Sequence, residues 1–137
     1  MIYAVIDTNV LVSALFTSNI ESSTVKVVKA LFEGLIVPLY NREIFDEYVD
    51  VLNRPKFHFS QANINNFLKE IEARGISSER VSSNDFFPDS EDVVFYEVAM
   101  SRKDAFLVTG NQKHFPKSPI VVTPEDMVEI LKLHHLL

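Results

Sequence analysis

Apolar positions along the chain follow two rhythms in alternation. Ile2–Ile6 is an unbroken apolar run rich in β-branched residues, the mark of a strand buried on both faces of a parallel sheet. A helical stretch at about 10–16 follows and is broken by Thr17-Ser18-Asn19. Val25, Val28, Leu31 and Phe32 then recur at helical spacing, with Gly34 suited to the position just past a helix end. Residues 35–39 predict a second strand, and Asn41 is placed to cap a helix that runs to about Leu52 and ends before Pro55. A further helix is predicted over 62–74, stopped by Gly75, and a short strand near Arg80-Val81 in the otherwise ambiguous stretch 76–87. The remainder predicts a helix over 89–103, strands at 105–109 and 119–122, and a closing helix with Thr123 as cap and Pro124 in its first turn. Strand and helix in alternation imply a mostly parallel sheet covered on both faces, the three-layer α/β/α class.

The length of 137 residues fits one domain over 1–137, and 47% hydrophobic residues are enough for a core without cross-links. The chain has no cysteine, which excludes a thiolate metal site, a catalytic thiol and a disulfide framework. Glycine occurs only at 34, 75 and 110, so neither a dinucleotide fingerprint nor a P-loop is present. No apolar run approaches the roughly 18 residues needed to span a bilayer, and the amino-terminal stretch lacks the basic start of a secretory signal; a cytoplasmic protein without membrane attachment is expected. Thirteen Lys and Arg against nineteen Asp and Glu give a net charge of −6, which disfavours holding nucleic acid by bulk electrostatics. A cation bound by converging acids would reverse the sign locally.

Acids do fall where such a site would form. The first strand ends in Asp7-Thr8-Asn9, and in open parallel sheets ligands bind outside the carboxyl ends of strands; the plainer reading is that Asp7 or Asn9 caps the next helix. On the 41–52 helix, Ile44, Tyr48, Val51 and Leu52 form the apolar stripe, and of the acids Glu43, Asp46, Glu47 and Asp50 it is Glu47 that lies closest to it, roughly 40° from Val51. Asp89 and Asp92 form a second cluster, readable either as a cap pair or, since Asp92 lies roughly 20° from Ala99, as groups overlooking the strand ends. The strand at 105–109 ends in Thr109-Gly110-Asn111. Carboxylates sharing a site repel one another unless cations are present, and oxygen-rich sites favour Mg²⁺ or Mn²⁺, ions suited to phosphodiester chemistry.

Asp7-Thr8-Asn9-Val10-Leu11-Val12 resembles the opening of PIN-domain proteins, and three more stretches resemble the same family in the same order: 43–57 around Glu47, 88–92 leading into Ala99, and Leu107-Val-Thr-Gly-Asn111-Gln-Lys-His-Phe115. The likeness runs from residue 2 to about 125. It implies an α/β/α sandwich and a Mg²⁺- or Mn²⁺-dependent endoribonuclease, with Asp7, Glu47 and Asp92 as catalytic metal ligands and Thr8, Asn9, Asp89, Thr109 and Asn111 in support. It is closest to small, single-domain toxin components of toxin–antitoxin pairs, which implies an RNA substrate, a homodimer and a small antitoxin partner. Asn111 departs from the pattern, since many relatives carry an aspartate there; this points to one-ion catalysis or to low activity. Arg54, Lys56 and His58 after the Glu47 helix, and Lys113, His114 and Lys117 after Asn111, are the candidate phosphate contacts. The alternatives are a catalytically weak or inactive PIN-fold module that binds RNA or protein, and a phosphoaspartate enzyme or receiver, for which the chain lacks both a second acid at position 9 and a lysine after its last strand.

Overall fold

The structure, a computed structural model, describes residues 1–137. Five strands, β1 (Ile2–Ile6), β2 (Ile36–Tyr40), β3 (Ile76–Ser77), β4 (Ala105–Val108) and β5 (Val121–Val122), form one parallel sheet in the order β3-β2-β1-β4-β5. Six helices accompany them: α1 (Thr8–Phe16), α2 (Ser23–Phe32), α3 (Arg42–Leu52), α4 (Gln61–Arg74), α5 (Val93–Ala99) and α6 (Pro124–Leu133). Consecutive strand residues point to opposite faces, and Ala4, Val5 and Ile6 are all fully buried, so both faces are covered. α5 lies against β1, β2 and β4 and touches α3, whereas α2 lies against β2 and α6. One apolar cluster extends from Ile2 to Leu131 through all of these layers.

The helix limits follow local chemistry. Asn41, Ser60 and Thr123 each accept a backbone N–H of the first turn, and Thr123 and Asp126 complete a reciprocal box. Gly34 sits past the end of α2 at φ 78°, where a Cβ would be strained. Gly75 is needed for a different reason: a Cβ there would come within 2.5 Å of the Ile71 carbonyl oxygen and 2.8 Å of that of Pro38.

The sheet is wholly parallel, as the expected α/β/α class requires. Three expectations about single elements are corrected. The strand foreseen near Arg80-Val81 is instead β3, at Ile76–Ser77, because the chain leaving Gly75 pairs at once with Leu39 and Tyr40. The helix foreseen over 89–103 is only α5, preceded by a tight 3-10 turn at Ser90–Asp92; Asp89 caps that turn by accepting the Glu91 N–H, and Asp92, at the N-cap position of α5, makes no side-chain cap bond. The last strand is confined to Val121–Val122. No helix is long and apolar enough to cross a membrane.

Candidate active site

The strand order reverses direction between β1 and β4, since the chain builds outward from β1 through β2 and β3 and then returns to β1's other edge. Crevices of open α/β sheets form at such switch points, outside the strand carboxyl ends. Two polar residues meet there. Asp7 leaves β1 with its backbone N–H bonded to the Val108 carbonyl, and Thr109 leaves β4 with its own bonded to Val122. The Thr109 hydroxyl donates to Asp7 Oδ2 at 2.7 Å, and both side chains are buried. Asp7 stands at the N-cap of α1 yet makes no side-chain cap bond, so the plain capping reading fails.

Above this pair α3 contributes Glu47. The Thr8 hydroxyl donates to Glu47 Oε2 at 2.5 Å, a contact that ties α1 to α3. The next residue of α3, Tyr48, is buried, and its hydroxyl donates to the Ile6 carbonyl and pins the end of β1. The 3-10 turn before α5 brings in Asp92, whose Oδ2 is buried without a hydrogen bond. His114 Nδ1 lies 3.4 Å from that oxygen, close enough for charge but not aligned for a bond.

Asp7, Thr8, Asn9, Glu47, Asp89, Asp92, Arg54, Lys56 and His114 all line one open cavity of about 280 Å³. Nine of the fourteen residues foreseen for the site are therefore together. Thr109 acts from beneath, through Asp7. Asn111 does not line the cavity; its backbone N–H bonds the Thr109 hydroxyl, so its contribution is to orient that threonine. Lys113 and Lys117 line a neighbouring groove with Phe115 and Pro116, and His58 does not line the cavity. Glu91, Val12, Val51 and Phe57 complete the lining and were not foreseen. Glu91 had a signal, since it stands inside the 89–92 acidic run; Phe57 had none.

The acids are held against their charge. Burial raises the pKa of Asp7, opposed by the Thr109 hydroxyl and the nearby N–H groups of Asn9 and Thr8. Burial also raises Glu47, against the Thr8 bond and with the added repulsion of Asp7 and Glu91. Asp92 is pushed up to about 6, first by burial and then by the charges of Asp7 and Asp89. Tyr48 is raised by burial beneath Asp7 and Glu47. No three of the acidic or imidazole groups stand close enough to hold a metal ion as placed. The donor set nonetheless fits a hard divalent cation: it is all oxygen, it carries negative charge that no lysine or arginine neutralises by direct contact, and one buried carboxylate oxygen has no bonding partner. Asp7, Glu47 and Asp92 are the residues that would hold it, after side-chain rotation.

A wholly parallel α/β sandwich with acids gathered at its switch point defines a class of ligand-binding fold. The particular family follows from comparison with known proteins: a family model described as PIN domain matches residues 3–113, and the chain belongs to that family. PIN domains are in general nucleases, and the family typically uses divalent metals. No curated protein and no solved structure gives a significant match.

Proposed function

We propose that this protein is a Mg²⁺- or Mn²⁺-dependent endoribonuclease in which Asp7, Glu47 and Asp92 bind the ion. The observation that carries the reading is Asp92: its Oδ2 is buried without a hydrogen bond, in a cavity shared with Asp7 and Glu47. When bound, the cation supplies an activated water and stabilises the charge that builds on a phosphodiester under attack. The chain's own groups do the rest. Thr109 and Thr8 each spend a hydroxyl proton on one carboxylate oxygen, fixing those side chains and leaving their second oxygens for the ion. Asn111, through the Thr109 hydroxyl, keeps that donor turned toward Asp7. Arg54 and Lys56 stand on the same cavity and offer positive charge to the phosphates on either side of the scissile bond, with the His114 imidazole beside them as a hydrogen-bonding group. Asn111 adds no negative charge, which favours one ion over two.

Within this reading the protein is the toxin of a toxin–antitoxin pair, a cytoplasmic homodimer restrained by a small antitoxin. Its support is the resemblance of the four motifs. A second reading, a weak or inactive PIN-fold binding module, draws on Asn111 and on the lack of a preformed cage. Incubation of single-stranded and structured RNAs with the purified protein and Mg²⁺ or Mn²⁺ separates the two. Endonucleolytic cleavage that disappears with chelator and with Asp7→Asn supports the nuclease, whereas binding without cleavage under all of these conditions supports the module.

A further inference from the structure

One wall of the cavity continues into an aromatic surface for which neither the core nor the acids account. On α1, Thr8, Val12 and Phe16 fall on one helix face at intervals of four. Thr8 and Val12 line the cavity, and Phe16 lies two turns, about 12 Å, beyond Thr8, with the residue 64% exposed. It is not left loose. The Phe16 ring stands nearly perpendicular to Phe57, at 6.1 Å, and to Phe59, at 6.0 Å. Phe57 and Phe59 are themselves stacked at 5.4 Å with planes only 12° apart. Phe59 is seated on the hydrophobic core, and Phe57 lines the acidic cavity.

The backbone bends to make this arrangement. Pro55–Phe57 is a 3-10 turn closed by His58 in the left-handed region, at φ 54°, which a non-glycine residue adopts only against a steric penalty. That reversal lets residues 57 and 59, two apart, lie face to face. Lys56 Nζ sits 5.1 Å from the centre of the Phe57 ring, and Lys56 and Arg54 line the cavity beside it. In a chain of net charge −6, this rim joins two cationic side chains to the exposed Phe16 and the half-buried Phe57 and Phe59.

Resting on the nuclease reading above, we propose that Phe16, braced by Phe57 and Phe59, is a stacking platform for an unpaired nucleobase of single-stranded RNA whose backbone crosses Lys56 and Arg54 into the acidic cavity. The pairing of charge and aromatic faces selects this occupant. Every base has a face that stacks on an aromatic ring, and a phosphate chain is what cations beside such a ring are suited to track. A protein segment of apolar character would have no use for Arg54 and Lys56 at the edge. A duplex keeps its bases inside and cannot present one to Phe16, so the platform sets a preference for unpaired RNA.

The sequence has no tryptophan, so Phe16→Trp installs a single reporter whose emission is quenched when a base stacks on it. It is titrated with a short oligoadenylate, with the abasic ribose-phosphate chain of equal length, and with the oligoadenylate paired to oligouridylate. Quenching by the single strand alone is the expected result, together with about tenfold weaker binding of the single strand by Phe16→Ala and unchanged binding by Phe32→Ala, a control ring on α2. Equal quenching by the abasic chain or the duplex overturns the platform, as does wild-type affinity in Phe16→Ala. If Phe16→Ala instead dissociates a dimer seen in sedimentation while single-strand binding is unaltered, the surface joins copies of this chain and the proposal is wrong. Failure of the platform is distinguishable from failure of the nuclease reading: cleavage without quenching sinks only the former, and quenching without cleavage sinks only the latter.

Discussion

Helix α3 carries two glutamates one turn apart, and each heads toward an acid in the 89–99 segment, but the two clusters are built on opposite principles. At Glu43 the chain supplies its own counter-charge. Arg80 forks across both oxygens of Glu43, at 2.9 and 2.8 Å, and also bonds the buried Glu97, whose other oxygen accepts the Ser83 N–H at 2.7 Å. Burial disfavours the Arg80 charge, yet the bonds to Glu43 and Glu97 outweigh it and raise its pKa. At Glu47 no arginine or lysine makes such a contact. Asp7, Glu47 and Asp92 share a cavity, their pKa values all rise, and the nearest aligned partners are neutral threonine hydroxyls. One cluster fastens the fold, stapling the 78–83 strand of coil to α3 and α5. The other is left negative at the one place where a parallel sheet of this order accepts a ligand. The difference separates an arginine-paired acid from an unneutralised one within a single helix, and the variants below are ways to break or sharpen it.

The largest expected effect is on catalysis. Asp7→Asn lowers metal-dependent RNA cleavage by about three orders of magnitude, the scale on which lost electrostatic stabilisation of a transition state is felt, whereas Glu43→Gln stays within about twofold. Initial rates at saturating Mn²⁺ measure both, and equal losses in the two variants would erase the distinction. On stability the roles invert. Arg80→Ala leaves Glu97 buried without its partner and costs about 3 kcal/mol in urea unfolding, while Asp92→Asn, without divalent ions, stabilises by about 1 kcal/mol, a figure discounted for the partial exposure of the group.

Divalent ions give a smaller shift. At tenfold over Kd they stabilise by about 1.4 kcal/mol, or roughly 5 °C in Tm for a chain of this size. Asp92→Asn should lose most of that gain, and a melt insensitive to both Mg²⁺ and Mn²⁺ would count against the acidic cavity as an ion site. The pH dependence is the finest test. A carboxyl whose folded pKa is raised favours the native state fully below its unfolded value, about 4, and that contribution is lost as pH climbs through the folded value, about 6 for Asp92. Chelated wild type should therefore lose stability between about pH 4 and pH 7, and Asp92→Asn should flatten that slope.

Much of this was legible before the structure. Asp7 stands where a strand ends in an acid, and Glu47 was marked by its angle to the stripe of Ile44, Tyr48, Val51 and Leu52, all buried except the half-buried Val51. Asp46 and Asp50, on the far side of the same helix, do pair with Arg42 and Arg54 at the surface. What sequence could not supply were contacts between distant segments. The Arg80 staple joins residues 37 and 17 positions apart, and the Thr109 bond to Asp7 spans 102; no local period marks any of them. Boundaries failed where tertiary pairing overrode pattern. β3 is two residues long and exposed, held by backbone pairing that leaves no alternation to read. The turn at Ser90–Asp92 winds tighter than the helix its residues suggest, and that is what frees the Asp92 carboxylate for the cavity.

The central claim is that the acids of the switch-point cavity await a cation and those of the Arg80 cluster do not. Mn²⁺ binding followed by electron paramagnetic resonance tests it directly, in wild type, in Asp7→Asn and Asp92→Asn, and in Glu43→Gln. The account predicts saturable binding to wild type, weakened at least tenfold by either aspartate substitution and unaltered by Glu43→Gln. Binding that ignores Asp7→Asn and Asp92→Asn alike, or that falls with Glu43→Gln instead, would contradict it.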